Sequence, residues 1–79
     1  MELFATIQKV LGEHFRKQQA EISRDTRLRE DLGADSLDYA DLMMAFEDAF
    51  QIDVKDEEFE GLETVSDIEA YITALYKSK

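Results

Sequence analysis

The sequence predicts an all-α domain, a small bundle of three main helices with a short helix before the last one and a long loop after the first. Apolar residues recur at helical spacing in three separate stretches, which is typical of amphipathic helices. Proline is absent and there are three glycines, so few positions interrupt a helix. A chain of 79 residues suffices for one small domain with a thin core. We therefore expect residues 1–79 to form a single domain.

The first helix is predicted from Leu3 to Phe15. Its inward stripe consists of Leu3, Ile7, Val10, Leu11 and Phe15. His14, the single histidine, is expected at the surface near the C-terminal end, because a catalytic or ligand role would need partners that the sequence does not supply. An ordered loop is predicted for residues 17–30, and Ile22 and Leu28 are expected to attach it to the core. Since so long a loop is unusual, we expect either a turn of helix within it or two helices running in the same general direction.

The second helix is predicted directly after a turn at Gly33, a residue that reaches backbone conformations costly for others. Leu42, Phe46 and Phe50 recur every four residues and form its inward stripe, with Met43 beside them. Another face of this helix consists of Leu37, Ala40 and Met44 next to Asp38, Asp41, Glu47 and Asp48. The helix therefore has more apolar residues than a single core-facing side needs.

Two further helices are predicted near the C-terminus. Asp56 is expected to cap a short helix that ends at Gly61. Thr64 and Asp67 have the spacing of a capping box and predict the start of the last helix. Its inward stripe consists of Val65, Ile68, Ile72 and Leu75, and its C-terminal end carries Lys77 and Lys79.

Negative charge is concentrated in the middle of the chain. The formal net charge is −10, and residues 35–60 contribute ten acidic side chains against a single base, Lys55. Such a field repels nucleic acid and anionic lipid and attracts basic protein surfaces. No stretch approaches the roughly 20 apolar residues of a membrane span, and the N-terminal region lacks the features of a signal peptide. We expect a cytoplasmic protein with a basic protein partner, no nucleic-acid partner and no membrane insertion.

The composition argues against catalysis and against a dedicated metal site. Cysteine is absent and His14 is the single histidine, which excludes disulfides and the usual zinc ligand sets. No window of the sequence has the regular oxygen ligands of an EF-hand calcium loop. A hydrolytic serine needs a base and an oxyanion site, and His14 lies in a different predicted helix. We expect no metal ligand, no catalytic residue and no enzymatic activity.

Ser36 is the remaining candidate for covalent chemistry. On its own, a serine at a helix start is most simply a helix cap, or the neighbour of a cap at Asp35. Ser36 also follows the Gly33 turn, stands at the positively polarised end of a helix and begins a helix with an acidic face. These features together make Ser36 the candidate site.

Residues 31–38 read Asp-Leu-Gly-Ala-Asp-Ser-Leu-Asp and resemble the signature of acyl carrier proteins, specifically the freestanding type of fatty acid synthesis. The similarity continues through 44–47, 56–58 and 64–67. It implies that a phosphopantetheinyl transferase attaches 4′-phosphopantetheine from coenzyme A to Ser36. It further implies that a single acyl carrier domain carries acyl groups as thioesters on the thiol of this arm and delivers them to enzymes of fatty acid biosynthesis.

Two alternatives remain open. One is a specialised carrier for a polyketide or unusual-lipid pathway, and the other is an acidic interaction module in which Ser36 only caps a helix. Tyr39 and Ala40 stand where the family usually has a small polar residue and a bulkier aliphatic one, and Lys55 replaces a frequent proline. We expect Tyr39 and Ala40 to bear on the identity of the partners.

The resemblance also implies a docking surface on the second helix for the transferase and for acyl-transfer and chain-elongation enzymes with basic surfaces. The expected docking residues are Asp35, Leu37, Asp38, Asp41, Met44, Glu47 and Asp48. Exposed charge pairs are worth only about 0.2–1 kcal/mol each, which suits a monomeric carrier that must release its partners. An acyl-chain cavity is expected to be lined by Phe46, Leu62, Ile68 and Ile72. The alternative is that these four residues simply pack against one another.

Overall fold

The computed structural model describes residues 3–77, and within them the chain forms four α-helices. These are α1 (Leu3–Phe15), α2 (Ser36–Phe50), α3 (Asp56–Glu60) and α4 (Val65–Lys77). The predicted all-α bundle, its short helix before the last one and the long loop after α1 are confirmed. Lys79, expected at the end of the last helix, lies outside the described residues.

The core lies between the inward faces of all four helices. Helix α1 contacts both α2 and α4, and α2 also contacts α3. The helical residues that form this core are Ile7, Leu11, Tyr39, Leu42, Phe46, Phe50, Phe59, Val65, Ile68 and Ile72. Leu42, Phe46 and Phe50 are buried as predicted, because the four-residue spacing keeps side chains on one side of a helix, and Met43 beside them is partly buried.

The long segment between α1 and α2 is ordered by its own contacts with the bundle. It contains a turn of 3₁₀ helix at Gln19–Glu21, and Ile22 and Leu28 are buried as predicted. The Leu28 N–H donates to Glu63 O over 2.8 Å, and the Val65 N–H donates to Thr26 O over 3.0 Å. The segment is therefore held against the start of α4.

The C-terminal end of α1 requires a glycine. Arg16 adopts a left-handed conformation with φ of 59°, and the Lys17 N–H donates back to Gly12 O over 2.8 Å. A Cβ atom on Gly12 would lie 2.7 Å from Lys17 O, closer than a carbon and an oxygen can approach. The absence of a side chain at Gly12 thus lets the backbone turn closely against the helix that it leaves.

The starts of the last two helices differ in how they are capped. The prediction that Asp56 caps α3 is wrong, because Asp56 is already helical and the cap position belongs to Lys55, whose side chain makes no capping bond. The Lys55 N–H instead donates to the Tyr71 hydroxyl over 3.3 Å, so α4 supports this turn. The predicted capping box of α4 is confirmed by 3.1 Å bonds from Asp67 N–H to Thr64 Oγ1 and from Thr64 N–H to Asp67 Oδ2.

Candidate functional site

The turn before α2 is set by Gly33 and by the long loop. Gly33 has a positive φ of 72°, which an L-residue adopts only at a cost. The next residue, Ala34, is buried, and its N–H donates to Leu28 O over 2.9 Å. These contacts fix the backbone at the point where α2 begins.

Asp35, rather than Ser36, caps α2. The Asp38 N–H donates to Asp35 Oδ1 over 2.9 Å, and the Asp35 N–H donates to Asp38 Oδ2 over 3.0 Å. This reciprocal pair is a capping box that satisfies two N–H groups without using the serine. Ser36 is the first residue of α2, is exposed, and makes no side-chain hydrogen bond to the described part of the chain. Its hydroxyl is therefore accessible and is not required to start the helix.

His14 is not simply a surface histidine at the end of α1, as the sequence suggested. Its Nε2 donates to Asp38 Oδ1 over 2.8 Å, and both side chains are partly buried. This hydrogen bond, followed by the one from the Asp35 N–H, lowers the pKa of the Asp38 carboxyl below its ordinary value. Asp38 thus connects α1 to the residues that flank Ser36.

Four of the predicted docking residues form one exposed stripe along α2, which we call the docking stripe. Spacings of four, three and four residues place them within about 60° of one another around the helix. The stripe consists of Leu37, Asp41, Met44 and Asp48. Its apolar members are 75% exposed at Leu37 and 66% exposed at Met44, and it lies opposite the side of α2 that faces the core. Apolar and acidic side chains alternate along this surface.

The side chains of the other three predicted docking residues make hydrogen bonds within the protein. Asp35 and Asp38 form the capping box, and Glu47 Oε2 accepts a 3.0 Å hydrogen bond from the Val54 N–H. Within residues 3–77, the carboxylates of Asp41 and Asp48 make no ion pair or hydrogen bond. The acidic face is thus divided into carboxylates that hold the fold and carboxylates that face solvent.

The residues predicted to line an acyl-chain cavity are closely packed. Phe46 and Ile68 are fully buried, Ile72 is 1% exposed, and Leu62 is partly buried at the edge of the core. The Phe46 ring lies 6.0 Å from the ring of Phe59. Phe46, Ile68 and Ile72 thus belong to the buried core, and Leu62 packs against it.

Tyr39, which the sequence comparison with the family marks as unusual, belongs to the core. It is 1% exposed, its hydroxyl donates to Leu62 O over 2.8 Å, and its ring meets that of Phe59 edge-on at 5.7 Å. The signal was present in the sequence, because Tyr39 extends the inward stripe of α2 by one step before Leu42.

The described part of the chain offers no metal site and no membrane span. Residues 3–77 contain no group of three or more carboxylate or histidine side chains placed to hold a metal ion. None of the helices within this range is long and apolar enough to cross a membrane.

Comparisons with known proteins identify the family. Residues 2–72 match the family model described as "Phosphopantetheine attachment site". The chain is 42% identical to the acyl carrier protein of Helicobacter hepaticus, with 94% of this chain and 97% of the relative covered. It is 39% identical to the acyl carrier protein of Campylobacter hominis over the whole of both chains.

A comparison with solved structures finds the same fold in an acyl carrier protein. The crystal structure of an acyl carrier protein from Thermotoga maritima superimposes with a TM-score of 0.80 at 29% identity, covering 96% of this chain and 88% of that one. The predicted resemblance and the predicted cofactor are thereby confirmed. The chain therefore belongs to the acyl carrier protein family, whose members bear 4′-phosphopantetheine and act as carriers rather than as catalysts.

Proposed function

We propose that this chain carries acyl groups as thioesters on a 4′-phosphopantetheine arm attached to Ser36, and that it delivers them to enzymes of fatty acid biosynthesis. The observation that carries the proposal is the position of Ser36, whose exposed hydroxyl begins α2 while Asp35 performs the capping. When bound, the arm supplies the thiol that the cysteine-free chain lacks. The proposal takes residues 1–79 as one acyl carrier domain.

The residues around Ser36 suit a covalently attached phosphodiester. The first helical hydrogen bond from the Tyr39 N–H to Asp35 O is 3.0 Å long, and the N–H groups of the preceding helical residues stand at the positively polarised end of α2. An anion is favoured at such a position. The reciprocal hydrogen bonds between Asp35 and Asp38 hold the backbone on both sides of Ser36.

The docking stripe supports short-lived contacts with basic enzymes. A positively charged surface would pair with Asp41 and Asp48, while Leu37 and Met44 would supply apolar contact between the charges. Exposed pairs of this kind contribute about 0.2–1 kcal/mol each. We propose that the transferase and the acyl-transfer and elongation enzymes dock here. Asp35, Asp38 and Glu47 contribute mainly through the negative electrostatic field of their carboxylates. The carrier acts as a cytoplasmic monomer.

A second candidate is a carrier for a polyketide or unusual-lipid pathway. The buried Tyr39, which stands where the family usually has a small polar residue, favours this candidate. The two pathways share the attachment chemistry at Ser36 and differ in the acyl groups that the carrier presents.

A reconstitution distinguishes the two candidates. The phosphopantetheinylated chain would be charged with malonyl groups by a transacylase of fatty acid synthesis and offered to the elongation enzymes, with Ser36→Ala as the control. The appearance of elongated acyl chains on the wild type would support the first candidate. Charging that succeeds only with polyketide enzymes supports the second, and a wild type that no transferase modifies would contradict both.

A further inference from the structure

The flank of α2 that carries Ser36 faces α3. Ser36, Ala40 and Met43 recur after four and three residues, so they lie in one row along this flank. Ala40 and Met43 line a crevice between the two helices together with Tyr39, Phe59 and two acidic residues of α3. A group attached to Ser36 that turned toward the core would follow this row.

Tyr39 closes this route. The crevice has a volume of about 30 Å³, and that is room for roughly one or two water molecules. Below it, the Tyr39 ring lies between α2 and α3, against Phe59. The core continues beyond Tyr39 with Phe46, Ile68 and Ile72. These three side chains are buried. A hydrocarbon chain of several methylenes needs several times the space that the crevice offers.

The Tyr39 side chain is held in place from two directions. Its hydroxyl donates to Leu62 O over 2.8 Å, and this bond ties α2 to the connection between α3 and α4. The Arg29 guanidinium lies over the Tyr39 ring with its carbon 4.7 Å from the ring centroid, and it donates to Glu60 O over 3.4 Å. Displacing the ring would leave a buried hydroxyl and the Leu62 carbonyl without their partners, which is unfavourable.

We propose that Tyr39 is a specificity-determining residue that keeps the core of this carrier closed to acyl chains, so that a chain on the arm remains in solvent. This inference rests on the proposed attachment at Ser36. The predicted cavity residues Phe46, Leu62, Ile68 and Ile72 would receive a chain only after Tyr39 is shortened. Carriage of short or polar acyl groups follows, because these need no apolar shelter.

The test loads Ser36 with acetyl, butyryl or octanoyl arms, using the corresponding acyl-coenzyme A and a broad-specificity transferase. Cleavage of each thioester by hydroxylamine reports its exposure, and the urea midpoint of each acyl form reports burial of the chain. The proteins compared are the wild type, Tyr39→Val, and Phe50→Val. Phe50 is a matched control because it is a buried aromatic residue at the opposite end of α2 from Ser36.

In the wild type and in Phe50→Val, octanoyl and butyryl thioesters should be cleaved at indistinguishable rates. In Tyr39→Val, octanoyl should be protected and the urea midpoint raised. Since each methylene moved out of water contributes up to roughly a fourfold factor, protection of at least about tenfold is expected. If Tyr39→Val does not fold, Tyr39→Phe should show a smaller protection of the same sign, because it loses only the hydroxyl with its bonds to Leu62 O and from Arg29 Nε.

Strong protection of octanoyl in the wild type would overturn the inference while leaving the attachment at Ser36 intact. Equal cleavage of octanoyl and butyryl in a folded Tyr39 variant would also overturn it. If the transferase loads no arm onto the wild type, the proposed function itself fails, and the inference fails with it.

Discussion

His14 Nε2 donates a hydrogen bond to Asp38 Oδ1 over 2.8 Å, and this contact joins the last turn of α1 to the first turn of α2. The other oxygen of Asp38 accepts from the Asp35 N–H over 3.0 Å. A single carboxylate therefore joins α1 to the backbone of Asp35, the residue before Ser36.

We predict that Asp38→Asn destabilises the protein near neutral pH and that this effect disappears in acid. The folded state lowers the pKa of Asp38, so the ionised carboxylate stabilises the fold at pH values above its ordinary pKa of 3.8. That stabilisation is lost as the pH falls through the lower folded value. Thermal unfolding followed by circular dichroism, from about pH 7 to about pH 3, should show the two midpoints converging in acid.

Asp41→Asn is the control for this pH series. Asp41 is exposed on the docking stripe, and its carboxylate has no partner in the described part of the chain. Its midpoint should stay near that of the wild type at every pH. A deficit of Asp38→Asn that persists unchanged below the ordinary pKa would show that the pairing with His14 and Asp35 is not its cause.

We predict that Thr64→Ala lowers the free energy of unfolding by about 1 kcal/mol, the usual cost of losing an N-cap side chain. Thr64 Oγ1 accepts the Asp67 N–H over 3.1 Å and satisfies one of the free donors at the start of α4. Urea denaturation measures the change. Ser66→Ala, an exposed position in the same turn, should be nearly neutral, and an equal loss in both variants would contradict the capping role.

Sequence spacing predicted the helices well because the main helices are strongly periodic and have clear boundaries. The first helix was predicted from Leu3 to Phe15, and α1 has those bounds. The buried stripe of Leu42, Phe46 and Phe50 follows from the repeat of the α-helix alone. The Gly33 turn likewise follows from a property of one residue type, its access to positive φ.

Contacts between distant parts of the chain could not be predicted in this way. His14 and Asp38 are 24 residues apart, and only the packing of α1 on α2 brings them together. The start of α3 depends on the Tyr71 hydroxyl, which bonds the Lys55 N–H from the last helix. Local capping preferences favour Asp56, since aspartate is a common N-cap residue. They contain no information about the contact that α4 makes with Lys55.

We predict that Asp41→Lys slows modification by the transferase several-fold at low salt, without changing the urea midpoint. Asp41 is exposed at the centre of the docking stripe, so its charge can contact a basic surface but supports no internal bond. Glu57→Lys on α3 alters the net charge equally at an exposed position away from the stripe. Rates would be compared at low and high salt, because screening weakens a charge contact.

The comparison between these two variants distinguishes an effect of the docking stripe from an effect of net charge. If Glu57→Lys slows the reaction as much as Asp41→Lys, net charge rather than the docking stripe governs association. If neither variant changes the rate at low salt, the stripe has no part in binding the transferase.

The central claim is that Ser36 bears the prosthetic group. The direct measurement is the intact mass of the wild type, Ser36→Ala and Ser66→Ala after incubation with coenzyme A and a broad-specificity transferase. Because Asp35 caps α2, Ser36→Ala should fold as the wild type does. We predict a gain of one 4′-phosphopantetheine in the wild type and in Ser66→Ala, and no gain in Ser36→Ala. A folded wild type that stays unmodified, or a Ser36→Ala variant that is still modified, would contradict the claim.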